Sequence, residues 1–207
     1  ATLFDQNADV FDEILVDELG YCVPLQLREL IRAMEIGPFK RLLDLGCGTG
    51  LTGVAFDDCA SHLTGVDLSE RIVELAFDRQ VYDDLYVGEA VSFLEEFEDD
   101  DGSRPLWDFI AATDVFPYLG DIEPFLEAAV KRLEPGGYLA FSTETLPEDL
   151  LAGAPYKVGP KHRFAHDEGY IRGALLSAGL DVELFEPITV RLEDKMPVPG
   201  HLVIAKL

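Results

Sequence analysis

The chain has 207 residues, of which 48% are hydrophobic, and this is enough to bury one sizeable core in a single domain. Its 16 Lys and Arg residues against 40 Asp and Glu residues give a formal net charge of -24, which repels phosphate backbones and excludes nucleic acid as the expected partner. No apolar run reaches the roughly 18 residues of a membrane span and no signal-peptide pattern opens the chain, so we predict a soluble, cytoplasmic protein without a membrane partner.

Composition carries three further expectations. The cysteines, Cys22, Cys47 and Cys59, are odd in number and form no C-x-x-C pair, which disfavours a disulfide framework or a zinc knuckle. The acidity is most simply a solubilising surface, with the steering of cationic substrates as the alternative. The chain opens with Ala1 rather than methionine, so we expect either a trimmed chain or the tail of a longer protein.

Two helices are predicted before the first strand. An apolar stripe at helical spacing marks the first of them, at Val10, Phe11, Ile14, Leu15 and Leu19. The second is predicted from Pro24 to Met34, because proline is favoured at a helix start. We expect one domain, divided into a helical cap over residues 1–38, a cofactor-binding core over 39–144 and an acceptor-side portion over 145–207.

Strands and helices then alternate. The strands are predicted at Arg41 to Leu45, His62 to Asp67, Leu85 to Val87, Trp107 to Ala112 and Tyr138 to Ser142. Such alternation predicts an α/β fold, in which helices cover both faces of a mostly parallel, doubly wound sheet.

The last third of the chain breaks this rhythm. A stretch containing Pro and Gly runs from Leu146 to Pro160, and a helix is predicted from about His166 to Ala178. Strand-like runs follow at Val182 to Arg191 and His201 to Ala205. Because no helix separates these two runs, we predict that they pair as an antiparallel hairpin at one edge of the sheet.

Three glycines at alternate positions follow the first predicted strand. Gly46, Gly48 and Gly50 lie between that strand and a helical pattern beginning at Leu51, where glycines let backbone amides approach a ligand closely. The dinucleotide fingerprint G-x-G-x-x-G would require glycine at position 51. A nucleotide-dependent oxidoreductase is therefore the less favoured alternative.

The stretch LLDLGCGTG resembles the first motif of class I S-adenosylmethionine-dependent methyltransferases, often written D-x-G-x-G-x-G. The resemblance implies a three-layer, Rossmann-like fold with a seven-stranded sheet ending in an antiparallel hairpin. It also implies S-adenosylmethionine as cofactor and S-adenosylhomocysteine as product. The residues that it places at the cofactor in this loop are Asp44, Gly46, Cys47, Gly48, Thr49 and Gly50.

The ends of the next two strands carry the acidic residues that such a site requires. Asp67 lies 21 positions after Gly46, close to the spacing expected of a carboxylate that accepts both ribose hydroxyl protons, and Leu68 follows it. The resemblance then assigns Gly88, Glu89 and Ala90 to the adenine end, although the family commonly has Asp where this chain has Glu89. An ordinary glutamate in the first turn of a helix is the alternative for that position.

The fourth strand is expected to present its end toward the transferred methyl group. The resemblance assigns Thr113, Asp114 and Val115 to the cofactor, and Phe116 and Tyr118 to the acceptor. Family members that methylate nucleic-acid amino groups carry Asp or Asn, then Pro-Pro and an aromatic residue, whereas this chain reads Asp114-Val115-Phe116-Pro117. Together with the charge of -24, this difference disfavours base methylation.

Methyl transfer requires alignment and exclusion of water, and a hydroxyl or amine acceptor must also lose a proton. His162, Arg163 and His166 are candidates for acceptor binding, and His166 and Tyr118 are the candidates for catalysis. Helix capping or packing is the alternative role for the two histidines, and no metal is expected because a third ligand is missing. Tyr21 is a further candidate near the methionine end of the cofactor, with simple packing as its alternative.

We therefore predict a methyltransferase that acts on a small molecule. A finer resemblance, carried by FDEILVDELGY, AATDVFPYLGD, RFAHDEGYI and PVPGHLVIAKL, is to bacterial predicted methyltransferases that sometimes carry tetratricopeptide repeats, although this chain contains no repeat. An interaction module that binds the cofactor without turnover is the alternative from another class. The acceptor and the oligomeric state stay open.

Overall fold

A computed structural model describes residues 22–207. The first predicted helix and Tyr21 lie outside these residues. The helices are α1 (Val23–Ala33), α2 (Leu51–Phe56), α3 (Glu70–Asp78), α4 (Ala90–Glu96), α5 (Glu123–Val130), α6 (Glu148–Leu151) and α7 (Glu168–Ser177). The strands are β1 (Phe39–Leu45), β2 (Ala60–Asp67), β3 (Asp84–Val87), β4 (Trp107–Ala112), β5 (Leu133–Glu144), β6 (Tyr156–Val158), β7 (Phe164–His166), β8 (Asp181–Glu193) and β9 (Met196–Lys206).

The strands form one sheet whose first five members are parallel, in the spatial order β3-β2-β1-β4-β5. Strand β9 then pairs antiparallel with β5, and β8 pairs with β9. The predicted α/β fold, its doubly wound parallel sheet and its C-terminal hairpin are confirmed. All seven predicted strands are present as β1 to β5, β8 and β9.

Two further strands, β6 and β7, were not predicted. They form a short antiparallel hairpin that joins the sheet where Glu144 at the end of β5 pairs with Ala165. Each is three residues long, which is too short for an alternating apolar pattern to show. The sheet therefore has nine strands rather than seven.

Strand residues alternate between two apolar clusters, one on each face of the sheet. Leu43 and Ile110 belong to the cluster beneath α4, α5 and α7, whereas their neighbours Leu42 and Phe109 belong to the cluster beneath α1 and α2. This alternation follows from the period of two along a strand. No helix among the described residues has both the length and the apolar character needed to cross a membrane.

Candidate active site

The carboxyl ends of the parallel strands meet at one edge of the sheet, where two adjoining cavities open. Cavity A has a volume of about 500 Å³ and lies over the ends of β2 and β3. Cavity B has a volume of about 340 Å³ and lies between the glycine loop, the end of β5 and α1. Gly46, Gly48 and Asp114 line both cavities, so the two adjoin at these residues and are together called the cleft.

Most of the predicted cofactor residues lie in this cleft. Those at cavity A are Gly46, Gly48, Asp67, Leu68, Gly88, Glu89, Ala90, Asp114 and Val115, with Tyr118 beside them. Cys47, Thr49 and Thr113 line cavity B together with the shared residues. Asp44 and Gly50 line neither cavity.

The glycine loop has backbone conformations that favour glycine. Gly46 and Gly48 have φ angles of +64° and +53°. A Cβ atom on Gly46 would lie 2.8 Å from Val115 Cγ2, whereas a Cβ atom on Gly48 would meet nothing within 4 Å. Gly46 is therefore required for packing, and the absent side chain of Gly48 leaves open space in the cleft.

Asp67 holds this loop against the end of β2. Its Oδ2 accepts a hydrogen bond from the Gly48 backbone N–H at 3.1 Å, and its Oδ1 accepts one from the Ser69 N–H at 3.1 Å. Helix α3 has its own cap, because the Ser69 side chain accepts from Ile72 N–H. Asp67 is thus not the helix cap, and its carboxylate retains lone pairs toward cavity A.

Glu89 caps helix α4. Its two carboxylate oxygens accept hydrogen bonds from the backbone N–H groups of Val91 at 2.9 Å and Ser92 at 2.8 Å. Burial disfavours the charged carboxylate, but these hydrogen bonds outweigh burial and lower the pKa of Glu89. The alternative of an ordinary helix-start glutamate thus describes one of its roles, and the residue lines cavity A as well.

The remaining wall of cavity A is apolar. Its side chains belong to Leu68, Ile72, Ala90, Val115 and Leu119. Such a slot beside a hydrogen-bonding carboxylate suits a flat heterocycle attached to a sugar.

Asp44 lies beneath the glycine loop, away from the cleft. It is fully buried, and its Oδ2 accepts a hydrogen bond of 2.5 Å from the Tyr82 hydroxyl, which itself accepts one from Gly53 N–H. Burial raises the pKa of Asp44 to about 7, against the opposing effect of the Tyr82 hydrogen bond. Asp44 therefore supports the loop from below, and the prediction that it contacts the cofactor receives no support from this position.

The Tyr82 ring fills the space left by three glycines. Cβ atoms on Gly53 and Gly65 would lie 2.5 Å and 2.9 Å from the ring, and one on Gly50 would lie 3.3 Å from it. Sequence reasoning missed Tyr82 because this residue precedes β3 and belongs to no recognisable motif.

Cavity B contains a charged network that the sequence did not reveal. Arg191 Nη2 donates to Asp114 Oδ1 at 3.0 Å and lies 3.4 Å from Glu144 Oε2. Arg163 Nε in turn donates to both Glu144 oxygens, at 2.8 and 3.0 Å, and Arg163 also pairs with Glu193. Glu144 could have been found, since it ends β5 at the same edge as the other site residues.

The position of Arg191 at the cleft is set by tertiary structure. This residue lies in β8, at a register shift in which Thr189 pairs with Pro199 and Arg191 pairs with Val198. A bulge of this kind redirects side chains, and here it accompanies the placement of Arg191 at the cleft. No local pattern predicts that register.

The other substrate candidates lie outside both cavities. Phe116 is buried, with its ring stacked 4.1 Å from Phe141, and His162 is exposed. Arg163 bonds to Glu144 in the charged network and lines neither cavity. These placements correct the expectation that Phe116, His162 and Arg163 face the acceptor.

His166 is also removed from the cleft. It is fully buried, and its Nε2 donates to the Gly120 carbonyl at 3.0 Å. Burial lowers its pKa, so the ring is neutral at neutral pH. The packing alternative describes His166, and a role as catalytic base does not fit this placement.

The residues of the cleft fit S-adenosylmethionine. Open space at Gly48 admits a ligand against the loop, and Asp67 and the apolar slot of cavity A match a ribose and a purine. The charged methionine end would then lie against the glycine loop at Gly46 and Gly48, which both cavities share. Fold and cleft together define a class I S-adenosylmethionine-dependent methyltransferase.

Comparison with known proteins assigns the family. A family model described as "Methyltransferase domain" matches residues 21–184, and the chain belongs to this methyltransferase family. A ubiquinone biosynthesis O-methyltransferase of Marinobacter nauticus is 26% identical over 181 residues, which cover 80% of this chain and 76% of that protein. The protein of the same name from Thiobacillus denitrificans is 31% identical over 173 residues, covering 77% and 72%.

Other relatives of that name are matched over 48% to 64% of their own length. Among solved structures, the N-methyltransferase NodS from Bradyrhizobium japonicum in complex with S-adenosyl-L-homocysteine has a TM-score of 0.62. It is 19% identical, and the match covers 87% of this chain and 84% of that chain. This likeness concerns the fold.

Proposed function

We propose that the chain transfers a methyl group from S-adenosylmethionine to a hydroxyl oxygen of a small molecule bound in cavity B. The observation that carries this proposal is that Gly46, Gly48 and Asp114 line both cavities. A donor lying along cavity A would bring its methyl group to this shared wall, where an acceptor in cavity B could meet it.

The chain's own residues bind and align the donor. Asp67 would accept hydrogen bonds from the ribose hydroxyls, Glu89 would face the purine edge, and the apolar wall would enclose the ring. The bound donor supplies a methyl group on a sulfonium sulfur, which departs as a neutral thioether. The protein's contribution is then to fix the angle of approach and to exclude water.

Three observations support a small, apolar hydroxyl acceptor. Val23, Pro24, Pro117 and Val190 give cavity B an apolar rim, and the net charge of -24 disfavours nucleic acid. The relatives of up to 31% identity are named O-methyltransferases. An amine acceptor is the second candidate, because Asp114 and Glu144 could attract a cationic group.

Parallel calorimetric titrations with S-adenosylmethionine, S-adenosylhomocysteine and NAD test the donor. We expect saturable binding of the two sulfur compounds and none of NAD. Binding of NAD alone would contradict the proposal. Donor binding without methyl transfer to any hydroxyl or amine would favour an interaction module.

A variant in cavity A tests the binding site. Asp67→Ala should weaken S-adenosylhomocysteine binding by about 1–3 kcal/mol, because charged hydrogen bonds are lost and the glycine loop loses its tie to β2. Asp78→Ala, on the exposed end of α3, is the matched control and should bind normally. Unchanged affinity in Asp67→Ala would remove Asp67 from the site.

A further inference from the structure

We infer that Asp114 is the base that takes the acceptor's proton, and that Arg191 is the positioning residue that holds Asp114 at the reacting oxygen. This inference rests on the proposed function, because it requires a hydroxyl acceptor in cavity B. It changes the role that the family resemblance gives to Asp114, from binding the cofactor to acting on the acceptor.

The position of Asp114 is the first observation that supports its role as the base. It lines both cavities, so it lies where donor and acceptor would meet. Its side chain is 53% exposed, and Oδ1 accepts the hydrogen bond from Arg191. Within residues 22–207, Oδ2 accepts no hydrogen bond from the protein, which leaves this oxygen available to an acceptor hydroxyl.

The charged network fixes the orientation of that oxygen. Arg191 contacts both Asp114 and Glu144, and Glu144 is held by two hydrogen bonds from Arg163. The Glu144 side chain is only 9% exposed and both its oxygens already bond to Arg163, so it is the less available carboxylate. A series of side chains with alternating charge, Arg191, Glu144 and Arg163, therefore holds Asp114 in place.

The environment of Asp114 also suits a base. Partial desolvation in the cleft raises its pKa, Arg191 and Arg163 act in the opposite direction, and Glu144 adds to the increase. A higher pKa makes the ionised carboxylate a stronger proton acceptor, provided that it is ionised at the working pH.

The other titratable candidates fit less well. His166 is buried and hydrogen-bonded to Gly120, away from both cavities. Tyr118 lines cavity A but not cavity B, and its side chain lies mostly in solvent. Asp114 is the carboxylate that both cavities share.

The step balances as a displacement at carbon. A lone pair on the acceptor oxygen forms the new C–O bond, and the C–S bond breaks with its electron pair passing to sulfur. The hydroxyl proton passes to Asp114 Oδ2 and from there to solvent. No oxidant, reductant or further reactant is required.

The test combines donor binding with transfer to two phenols. Catechol requires proton removal at neutral pH, whereas the nitro group of 4-nitrocatechol leaves its hydroxyl largely ionised. Asp114→Asn should bind S-adenosylhomocysteine as the unaltered protein does, and should lose about 100-fold or more in kcat/KM on catechol. Its loss on 4-nitrocatechol should be below about tenfold, since that acceptor needs no base.

The matched control is Asp121→Asn, on the same loop but outside both cavities, where the amide oxygen can still accept from Tyr170 and Glu123. It should behave as the unaltered protein on both phenols. Thermal melting of both variants should show folded protein.

Three results would overturn the inference. Loss of S-adenosylhomocysteine binding in Asp114→Asn would make the residue a donor ligand, and equal losses on the two phenols would exclude proton removal. If the unaltered protein binds S-adenosylhomocysteine but methylates neither phenol, the hydroxyl acceptor class and its base are both wrong. Failure to bind S-adenosylhomocysteine would instead contradict the proposed function itself.

Arg191→Ala tests the positioning role. Removing the cation raises the pKa of Asp114, so the acidic limb of the kcat/KM profile on catechol should move to higher pH. Arg191→Lys should restore part of the shift by returning a positive charge. An unmoved limb in Arg191→Ala would show that Arg191 does not position the base.

Discussion

Gly46 and Gly48 share a left-handed backbone but differ in what surrounds them. Gly46 faces Val115 beneath the loop, and Gly48 faces open space in the cleft. One glycine is therefore needed for the protein to pack, and the other leaves open space in the cleft. The alternating glycines of the sequence thus serve two separate physical requirements.

Alanine at these two positions should separate the requirements. Each substitution costs about 1–2 kcal/mol for a left-handed alanine, and Gly46→Ala adds about 1–3 kcal/mol for crowding Val115. Urea denaturation should therefore show the larger loss of stability in Gly46→Ala. Calorimetry on folded Gly48→Ala should show weaker S-adenosylhomocysteine binding, because the methyl group occupies the cleft. Normal affinity in Gly48→Ala would mean that the ligand does not lie against the loop.

Tyr82 joins three secondary-structure elements, β1, α2 and β2. Its hydroxyl connects Asp44 at the end of β1 to the N–H of Gly53 in α2, and its ring packs on Gly65 in β2. One side chain therefore fixes the strand and helix on either side of the glycine loop. The geometry of the cleft depends on a residue that does not line it.

This junction predicts a pH dependence of stability. The folded-state pKa of Asp44, about 7, lies above its ordinary value, so between about pH 4 and pH 7 the folded protein holds a proton that the unfolded chain does not. The resulting stabilisation is complete below this window and is lost as the pH rises through about 7. Melting temperatures should fall across the window in the unaltered protein, and less steeply in Asp44→Asn. Asp78→Asn, at an exposed position, is the control, and parallel curves for all three would exclude Asp44 as the source.

The elements that the sequence predicted are those with long or repeated patterns. Strand β1 was predicted from the apolar run Leu42, Leu43 and Leu45. The parallel sheet was predicted from the alternating strands and helices that follow it. The hairpin β6–β7 was not predicted, because strands of three residues are too short to show an alternating apolar pattern. Its position still matters, since His166 at the end of β7 bonds to Gly120, in the segment that follows Tyr118.

The lining of the cleft was predictable where its residues lie at or just after the end of a parallel strand. Asp67, Gly88 and Asp114 follow strands, and the carboxyl-end rule for parallel sheets brings such residues together. Arg191 was not predictable because the register of β8 against β9 places it. His166 was misassigned because spacing alone does not distinguish a buried histidine from one that faces a ligand.

The net charge of -24 opposes compaction of the folded protein. Forty acidic side chains repel one another in the folded state more than in the expanded chain, and salt screens this repulsion. The charged network at cavity B, by contrast, contains matched charges, since Arg191 pairs with Asp114 and Arg163 pairs with Glu144. Global and local electrostatics should therefore respond differently to ionic strength.

Raising sodium chloride from about 0.05 M to about 0.5 M should increase the melting temperature by about 2–5 °C. Screening of self-repulsion predicts this sign, and sodium bromide at the same ionic strength should give a similar gain. A falling melting temperature would mean that favourable ion pairs such as Arg28 with Asp58 dominate the balance.

The ring of Tyr82 also constrains how this protein can change over generations. While the tyrosine is present, a methyl group on Gly53 or Gly65 would overlap its ring. A smaller residue at position 82 would remove that obstacle but would leave buried Asp44 without its hydrogen-bond donor. Mutational paths through this region are therefore ordered: Asp44 must be replaced first, Tyr82 can then shrink, and only afterwards can Gly53 gain a side chain. Gly65 also requires Leu85 to move, because a Cβ atom there would lie 2.7 Å from Leu85 Cδ2.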